Sequence, residues 1–230
     1  YNWTNGQEGS GWQNSEVARL AKELDKSMTS AGLNNTKMLL AEAGGWNYLY
    51  ETNAEAGSAR SNVINDLFNQ SSQNYIGNLK HASGIVCAHS YWTDLNWSML
   101  SDVRTKVRIA AQNNNLKVYQ TEWSMLGSGY EDAPNYDNAS YMDLALAMSK
   151  VIHQDLATAN ASSWSYWTSA APERWSQKSR FYLIRITPAD GDYGDMSKSG
   201  TYSAGKNLWV LGNYSLFVRP GYQRVDLSIP

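Results

Sequence analysis

Apolar residues recur at helical spacing in several stretches of the chain. The first stretch covers residues 14–31, where apolar positions fall three and four residues apart and Asn14 or Ser15 supplies an N-cap. The same spacing predicts further helices at residues 59–69, 75–81, 99–110 and 141–159. Trp97 and Trp209 fall on helical stretches, so we expect both in the core.

Short, continuous apolar runs alternate with these helices and predict buried strands. The runs lie at residues 37–43, 84–89, 117–122 and 161–167, and each leads into a loop rich in glycine or aromatic residues. Buried strands separated by helices are typical of an α/β protein with a parallel sheet. Neither G-x-G-x-x-G nor G-x-x-x-x-G-K-[ST] occurs, so the phosphate loop of a doubly wound sheet is absent and we expect a (β/α)₈ barrel.

Composition narrows the classes of function. The 230 residues have a net charge of −2 and no block of Lys and Arg, which disfavours nucleic acid as a partner. No apolar run approaches the roughly 20 residues that a membrane-spanning helix needs. The single cysteine, Cys87, lies in an apolar run and is expected to be buried. Ten Trp and 15 Tyr against 3 Phe favour flat faces with polar edges, which suit a pyranose ring.

Reactive residues of a (β/α)₈ barrel lie at the carboxyl ends of its strands, and these ends can be located in the sequence. The predicted strands end in two carboxylates, one imidazole and several aromatic rings: Glu42, His89, Tyr91, Glu122, Trp123, Trp164, Tyr166 and Trp167. We expect these side chains to converge on one pocket.

Carboxylates beside aromatic rings suggest the hydrolysis of an acetal. The three histidines lack the spacing of a helical metal site, and no G-x-S-x-G motif occurs, so we expect neither a metal nor another cofactor. Cleaving a glycosidic bond needs one carboxyl group to protonate the leaving oxygen. A second carboxyl group either attacks the anomeric carbon or activates water.

Four motifs, in this order, resemble glycoside hydrolase family 30, most closely its endo-β-1,6-galactanase-like members. They are WTNGQEG at residues 3–9, AHSYW at 88–92, VYQTEWS at 118–124 and GNYSLFVRPG at 212–221. The resemblance covers nearly the whole chain and implies a retaining enzyme of the (β/α)₈ fold. In the family's last motif an Arg commonly stands where this chain has Leu216.

The resemblance assigns roles to individual residues. Glu122 matches the family's nucleophile at the end of barrel strand seven, which makes the predicted strands numbers five to eight. We expect Glu8, in the loop after strand four, to bind substrate. We expect Glu42 to bond to sugar hydroxyls or to orient Glu122, and His89 to bond to a sugar or to Glu122. Trp123, Trp164 and Trp167 are the expected sugar platforms, and Tyr91 and Tyr166 the expected hydroxyl donors.

The family's acid/base is the Glu of an Asn-Glu-Pro motif at the end of strand four, and this chain contains no Asn-Glu-Pro. We therefore expect the acid/base upstream of residue 1, in an N-terminal half of the same polypeptide, and expect this chain alone to be inactive. The domain prediction is residues 1–201 as the C-terminal half of a catalytic barrel, strands five to eight with their helices. Residues 202–230 would be the last helix and first strand leading into a β-rich side domain.

The leading hypothesis is a retaining glycoside hydrolase that cleaves β-linked galactan or a related plant polysaccharide by double displacement. A family-30 xylanase or glucosidase-like enzyme is one alternative, and a non-catalytic carbohydrate-binding protein is another. The expected partner is a polysaccharide or oligosaccharide, without nucleic acid or a membrane span. The family resemblance and a polymeric substrate imply an extracellular or periplasmic location.

Overall fold

A computed structural model describes residues 10–135, 138–173, 180–191, 194–195, 197–225 and 227. Glu8 lies outside the described residues. The chain divides into two compact units. The first comprises the described residues of Tyr1–Trp123 and Gln154–Tyr166, and the second those of Ser124–His153 and Trp167–Pro230.

The first unit begins with helix α1, Asn14–Ser30. Its cap is Gln13 rather than the predicted Asn14 or Ser15, and the Gln13 backbone N–H donates to Glu16 Oε2 at 2.7 Å in a capping box. Asn14 is instead buried, and its Nδ2 donates to the Ser61 carbonyl at 3.0 Å. The Asn14 side chain thus makes a long-range contact, and the helix cap lies one residue before it.

Three parallel strands form the sheet of this unit, in the order β1-β2-β3. They are β1 (Met38–Ala43), β2 (Ala82–His89) and β3 (Lys117–Glu122), and helices α2 (Val63–Phe68) and α3 (Trp97–Asn113) lie between them in sequence. The predicted helix at residues 75–81 does not form, since those residues make turns. Two short 3₁₀ helices, Trp46–Leu49 and Ser58–Arg60, also occur.

The predicted fourth strand runs beside β3 without becoming a regular ladder. Val118 and Ala161 form an isolated parallel bridge. Beyond it, the Gln120 N–H donates to the Ser163 carbonyl at 3.0 Å and the Trp123 N–H to the Ser165 carbonyl at 3.1 Å. The segment therefore lies against the edge of β3 and brings Trp164 and Tyr166 to the same end of the sheet as Glu122.

The core of the first unit lies between the sheet and its helices. Apolar side chains from the strands and helices fill it, among them Ala21, Trp46, Leu49, Leu67, Val86 and Val107. Cys87 on β2 is buried, as predicted. Trp97 is 48% exposed at the start of α3, so its predicted core position is wrong.

The second unit contains a small mixed sheet that the sequence patterns did not predict. Strand β4 (Ala170–Pro172) is parallel to β5 (Ile184–Pro188), and β5 is antiparallel to β6 (Gly200–Ala204). Helix α5 (Lys206–Phe217) follows, and Trp209 on it is exposed, so its predicted core position is also wrong. Helix α4 (Tyr141–Ala157) has residues in both units.

Among the described residues, no helix is both long and apolar enough to cross a lipid bilayer.

Candidate active site

The carboxyl ends of β1, β2 and β3 bring four of the predicted site residues together. Nε2 of His89 lies 2.9 Å from Oε1 of Glu42, and Nδ1 of the same ring lies 3.6 Å from Oε1 of Glu122. The Tyr91 hydroxyl donates to Oε1 of Glu122 at 2.8 Å. An ionised carboxylate only accepts hydrogen bonds, so Nε2 of His89 is the nitrogen that donates to Glu42.

Both polar contacts to Glu122 engage the same oxygen. Within the described part of the chain, Oε2 of Glu122 accepts no hydrogen bond, and the side chain is about one-third exposed. One carboxylate oxygen is thus fixed by Tyr91 while the other is left for an incoming group. This is an arrangement that a nucleophilic carboxylate can use.

Register shifts at the strand ends position this cluster. β1 contains one residue more than β2 at its end, and that residue is Glu42. β3 likewise contains an extra residue, Thr121, immediately before Glu122. The Thr121 hydroxyl donates to Oε1 of Glu42 at 2.7 Å, so the two inserted residues are bonded to each other. Such irregularities redirect side chains next to active sites.

The environment of Glu42 favours its ionised form. Burial raises the pKa of Glu42, but the hydrogen bonds from His89 and Thr121, with the charge of the imidazole, outweigh burial and lower that pKa below its ordinary value. A carboxyl group with a lowered pKa is poorly suited to donate a proton near neutral pH. Glu42 is therefore equipped to accept hydrogen bonds and to orient His89.

Three aromatic residues lie side by side next to the site. The ring centroids of Trp123 and Trp164 are 6.1 Å apart, and those of Trp164 and Tyr166 are 6.3 Å apart with near-parallel planes. Trp123 is only 1% exposed, and its Nε1 donates to Asp94 Oδ2 at 2.7 Å. Trp164 and Tyr166 are half-buried. Trp123 as a sugar platform stays a prediction that its burial does not favour.

Asp155 is a residue that sequence reasoning missed. Its carboxylate is fully buried and accepts hydrogen bonds from Trp46 Nε1 at 2.9 Å, Arg104 Nε at 2.8 Å and Trp164 Nε1 at 2.9 Å. Arg104 also donates to the carbonyl of Thr93, in the loop after β2. Asp155 therefore connects the indole of Trp164 to elements that follow β1 and β2.

The position of Asp155 within its helix could have identified it from the sequence. Leu144, Met148 and Val151 form a buried row along α4, at spacings of four and three residues. Asp155 is the next member of that row, four residues on. A carboxylate on an apolar helix face is buried and therefore needs hydrogen-bond partners. The sequence pattern could thus have predicted that Asp155 takes part in a buried hydrogen-bond network.

Trp167 and Glu8 are the remaining predicted site residues. Trp167 belongs to the second unit, where its ring packs against the Phe181 ring at 5.9 Å between centroids. Glu8 lies outside the described residues. Among the residues that the structure describes, no group of three or more His, Cys, Asp or Glu side chains is placed to hold a metal ion.

Comparison with known proteins identifies the family. The model of O-glycosyl hydrolase family 30 matches residues 1–179. A solved structure of a conserved exported protein from Bacteroides fragilis is 28% identical with a TM-score of 0.80, covering 96% of this chain and 45% of that one.

Two solved catalytic structures share the fold at lower identity. One is the catalytic domain of a family-30 xylanase C from Talaromyces cellulolyticus, 18% identical with a TM-score of 0.52, covering 90% of this chain and 37% of that chain. The other is the family-30 subfamily-8 xylanase Xyn30A from Clostridium acetobutylicum, 17% identical with a TM-score of 0.51, covering 97% of this chain and 41% of that chain. The chain thus spans less than half the length of each of these structures.

The parallel sheet and its helices form a mixed α/β fold that carries the carboxylate cluster at its strand ends. This chain belongs to glycoside hydrolase family 30. The predicted family and fold class are confirmed, and the structural likeness fits part of a (β/α)₈ catalytic barrel.

Proposed function

We propose that Glu122 is the nucleophile of a retaining glycoside hydrolase that acts on β-linked galactan or a related plant polysaccharide. The observation that carries the proposal is the hydrogen bonding of the two oxygens of the Glu122 carboxylate. Oε1 accepts the hydrogen bond from Tyr91 at 2.8 Å, while Oε2 has no partner among the described residues.

In the first step of the proposed reaction, Oε2 of Glu122 forms a bond to the anomeric carbon. The bond from that carbon to the leaving oxygen breaks, and an acid carboxyl group protonates this oxygen. Water, deprotonated by the same group, then releases the sugar from Glu122 with retained configuration. We expect that acid/base upstream of residue 1, as the family's motif order implies, and expect this chain without it to be inactive.

The proposal gives the remaining site residues supporting roles. Tyr91 fixes Oε1 of Glu122. The Glu42–His89 pair lies beside Glu122, where it can accept hydrogen bonds from sugar hydroxyls and donate hydrogen bonds to them. Trp164 and Tyr166 present half-buried rings for the substrate. Trp167 and Glu8 stay predicted binding residues, and residues 202–230 the predicted start of a side domain.

Substrate class and location rest on similarity. Galactan follows from the resemblance of four motifs to galactanase-like members of the family. The likeness to a conserved exported protein supports an extracellular or periplasmic site of action, as expected for an enzyme that meets a polymer too large to enter a cell.

The proposal is tested with the complete natural polypeptide. Reducing sugar released from β-1,6-galactan, β-1,4-galactan, xylan and β-glucan gives the substrate class, and proton NMR of the first product gives its anomeric configuration. We expect galactan hydrolysis with retention, and loss of turnover in Glu122→Gln. Glu23→Gln, an exposed helix position, is the matched control and should be fully active.

Each result bears on one part of the proposal. Full turnover by Glu122→Gln would overturn the role of Glu122, and an inverted product would overturn the double displacement. Hydrolysis of xylan alone would keep the mechanism and replace the substrate.

A further inference from the structure

Backbone strain is concentrated at one edge of the sheet. Among the described residues, five that are not glycine have positive φ: Glu42, Asn62, Trp92, Asn115 and Asn160. Asparagine tolerates the left-handed region, so three of these positions are unremarkable. The other two, Glu42 with φ 65° and Trp92 with φ 53°, both lie at the carboxyl edge of the β1-β2-β3 sheet.

A tryptophan in the left-handed conformation is a genuine outlier, because its bulky side chain crowds the backbone there. Residues held in such conformations cluster at active sites and ligand clamps, where the surrounding structure imposes them. The strain at Glu42 is accounted for by the register shift and by the hydrogen bonds from Thr121 and His89. Neither the register shift nor these hydrogen bonds accounts for the strain at Trp92.

Trp92 packs against the residue that fixes the candidate nucleophile. Its ring lies 5.4 Å from the ring of Tyr91, centroid to centroid, with the planes tilted by 55°. The hydroxyl of the same Tyr91 holds Glu122 at 2.8 Å. Tyr91 is buried whereas Trp92 is 41% exposed, so a partly exposed indole lies beside the residue that fixes Glu122.

We propose that Trp92 is a sugar platform of the active site, on which one pyranose ring of the substrate stacks next to the bond that is cleaved. The assignment rests on the proposed function. An indole face is apolar and fits the C–H face of a pyranose, while the ring edge can still meet water. Among the predicted platforms, Trp123 is buried, so Trp92 supplies the accessible indole face that Trp123 lacks.

The test removes the ring and keeps the backbone. Trp92→Asn suits the left-handed conformation, Trp92→Phe restores an aromatic face, and Trp97→Ala removes an indole of similar exposure, 48%, from α3. In the complete polypeptide we expect Trp92→Asn to raise KM for the hydrolysed polysaccharide about tenfold, since a stacking surface is lost. Trp92→Phe should stay within about threefold of the natural protein, and Trp97→Ala within about twofold.

A binding measurement separates this inference from the proposed chemistry. Titration calorimetry of β-1,6-galactotetraose and xylotetraose is carried out on Glu122→Gln and on the Glu122→Gln/Trp92→Asn double variant. We expect the dissociation constant of the better tetraose to rise about tenfold in the double variant. If Glu122→Gln keeps its turnover, the proposed function fails, while the KM values of Trp92→Asn and Trp97→Ala still test the platform.

Unchanged KM and unchanged tetraose affinity without the Trp92 ring would overturn the platform, even if Glu122 proves essential. Absence of tetraose binding to the Glu122→Gln protein would also overturn it. An equal rise of KM in Trp97→Ala would overturn it as well, because the effect would then belong to any exposed indole.

Discussion

The hydroxyl of Tyr91 donates a hydrogen bond of 2.8 Å to Oε1 of Glu122. Tyr91 is itself buried, two residues after the end of β2, so the hydroxyl is held in place by the packing of its ring. This contact links two neighbouring strands at the point where the proposed nucleophile must be oriented.

Replacing Tyr91 by Phe removes this donor and keeps the ring. Hydrogen bonds to charged groups contribute more than neutral ones, and orientation of Glu122 matters most in the transition state, so we expect kcat to fall about 100-fold with little change in KM. Steady-state kinetics of the complete polypeptide measures both constants. Tyr75→Phe, in the loop between α2 and β2, is the control, and an unaltered kcat in Tyr91→Phe would show that the contact does not assist turnover.

The buried carboxylate of Asp155 should be a major source of stability. Asp155→Ala leaves the buried Arg104 guanidinium without its carboxylate partner and removes the acceptor for two indole N–H groups. Breaking a buried ion pair is strongly destabilising, so the melting temperature should fall by roughly 10 °C. Thermal unfolding gives the melting temperature. As a control, Asp102→Asn replaces an exposed carboxylate that pairs with Lys106 and should leave the melting temperature unchanged. Equal melting temperatures for the Asp155 and Asp102 variants would refute the network.

Glu42 should make stability dependent on pH at the acid end. The pKa of Glu42 is lowered from its ordinary value of 4.5, burial being outweighed by the bonds from His89 and Thr121. The folded protein therefore binds fewer protons there than the unfolded chain, and this stabilisation is present above the ordinary value and lost as pH falls through the folded pKa.

We expect the melting temperature of Glu42→Gln to fall less than that of the natural protein between about pH 5 and pH 3. Because the side chain is half exposed, the difference should be a few degrees at most. Thr121→Val, which removes one of the lowering bonds, should give an intermediate curve. Parallel curves for all three proteins would contradict this account of Glu42.

The thiol of Cys87 should be inert in the folded protein. Burial, reinforced by the charge of Glu42, raises the pKa of Cys87 to about 12, and the side chain is inaccessible. Only the thiolate reacts rapidly, so a thiol reagent at about pH 8 should label the native protein very slowly and the urea-unfolded protein at once. Rapid labelling without denaturant would contradict the buried position on β2.

Sequence patterns located much of this site because parallel strands end at a common edge. Glu42, His89, Tyr91 and Glu122 were all found from the strand ends. In the structure His89 bonds to Glu42, Tyr91 bonds to Glu122, and the His89 ring lies 3.6 Å from Glu122. Thr121 was missed because regular alternation places it on the opposite face from Glu122. The extra residues in β1 and β3 depend on pairing between strands, which no local pattern shows.

Long-range pairing explains the other misses. Asp155 has no sequence neighbour that marks its three partners, which come from residues 46, 104 and 164. The small sheet of the second unit was missed because its strands are three to five residues long and show no alternation of buried and exposed positions. Such strands are defined by their partners rather than by their own composition.

The left-handed backbone at Trp92 has an evolutionary consequence. Glycine or asparagine would fit this position at lower free energy, so a laboratory selection for heat resistance alone should accumulate such replacements there. Those variants would survive heating and turn over substrate poorly. Adaptation of the working enzyme to a hotter environment must therefore be achieved at other positions of the chain.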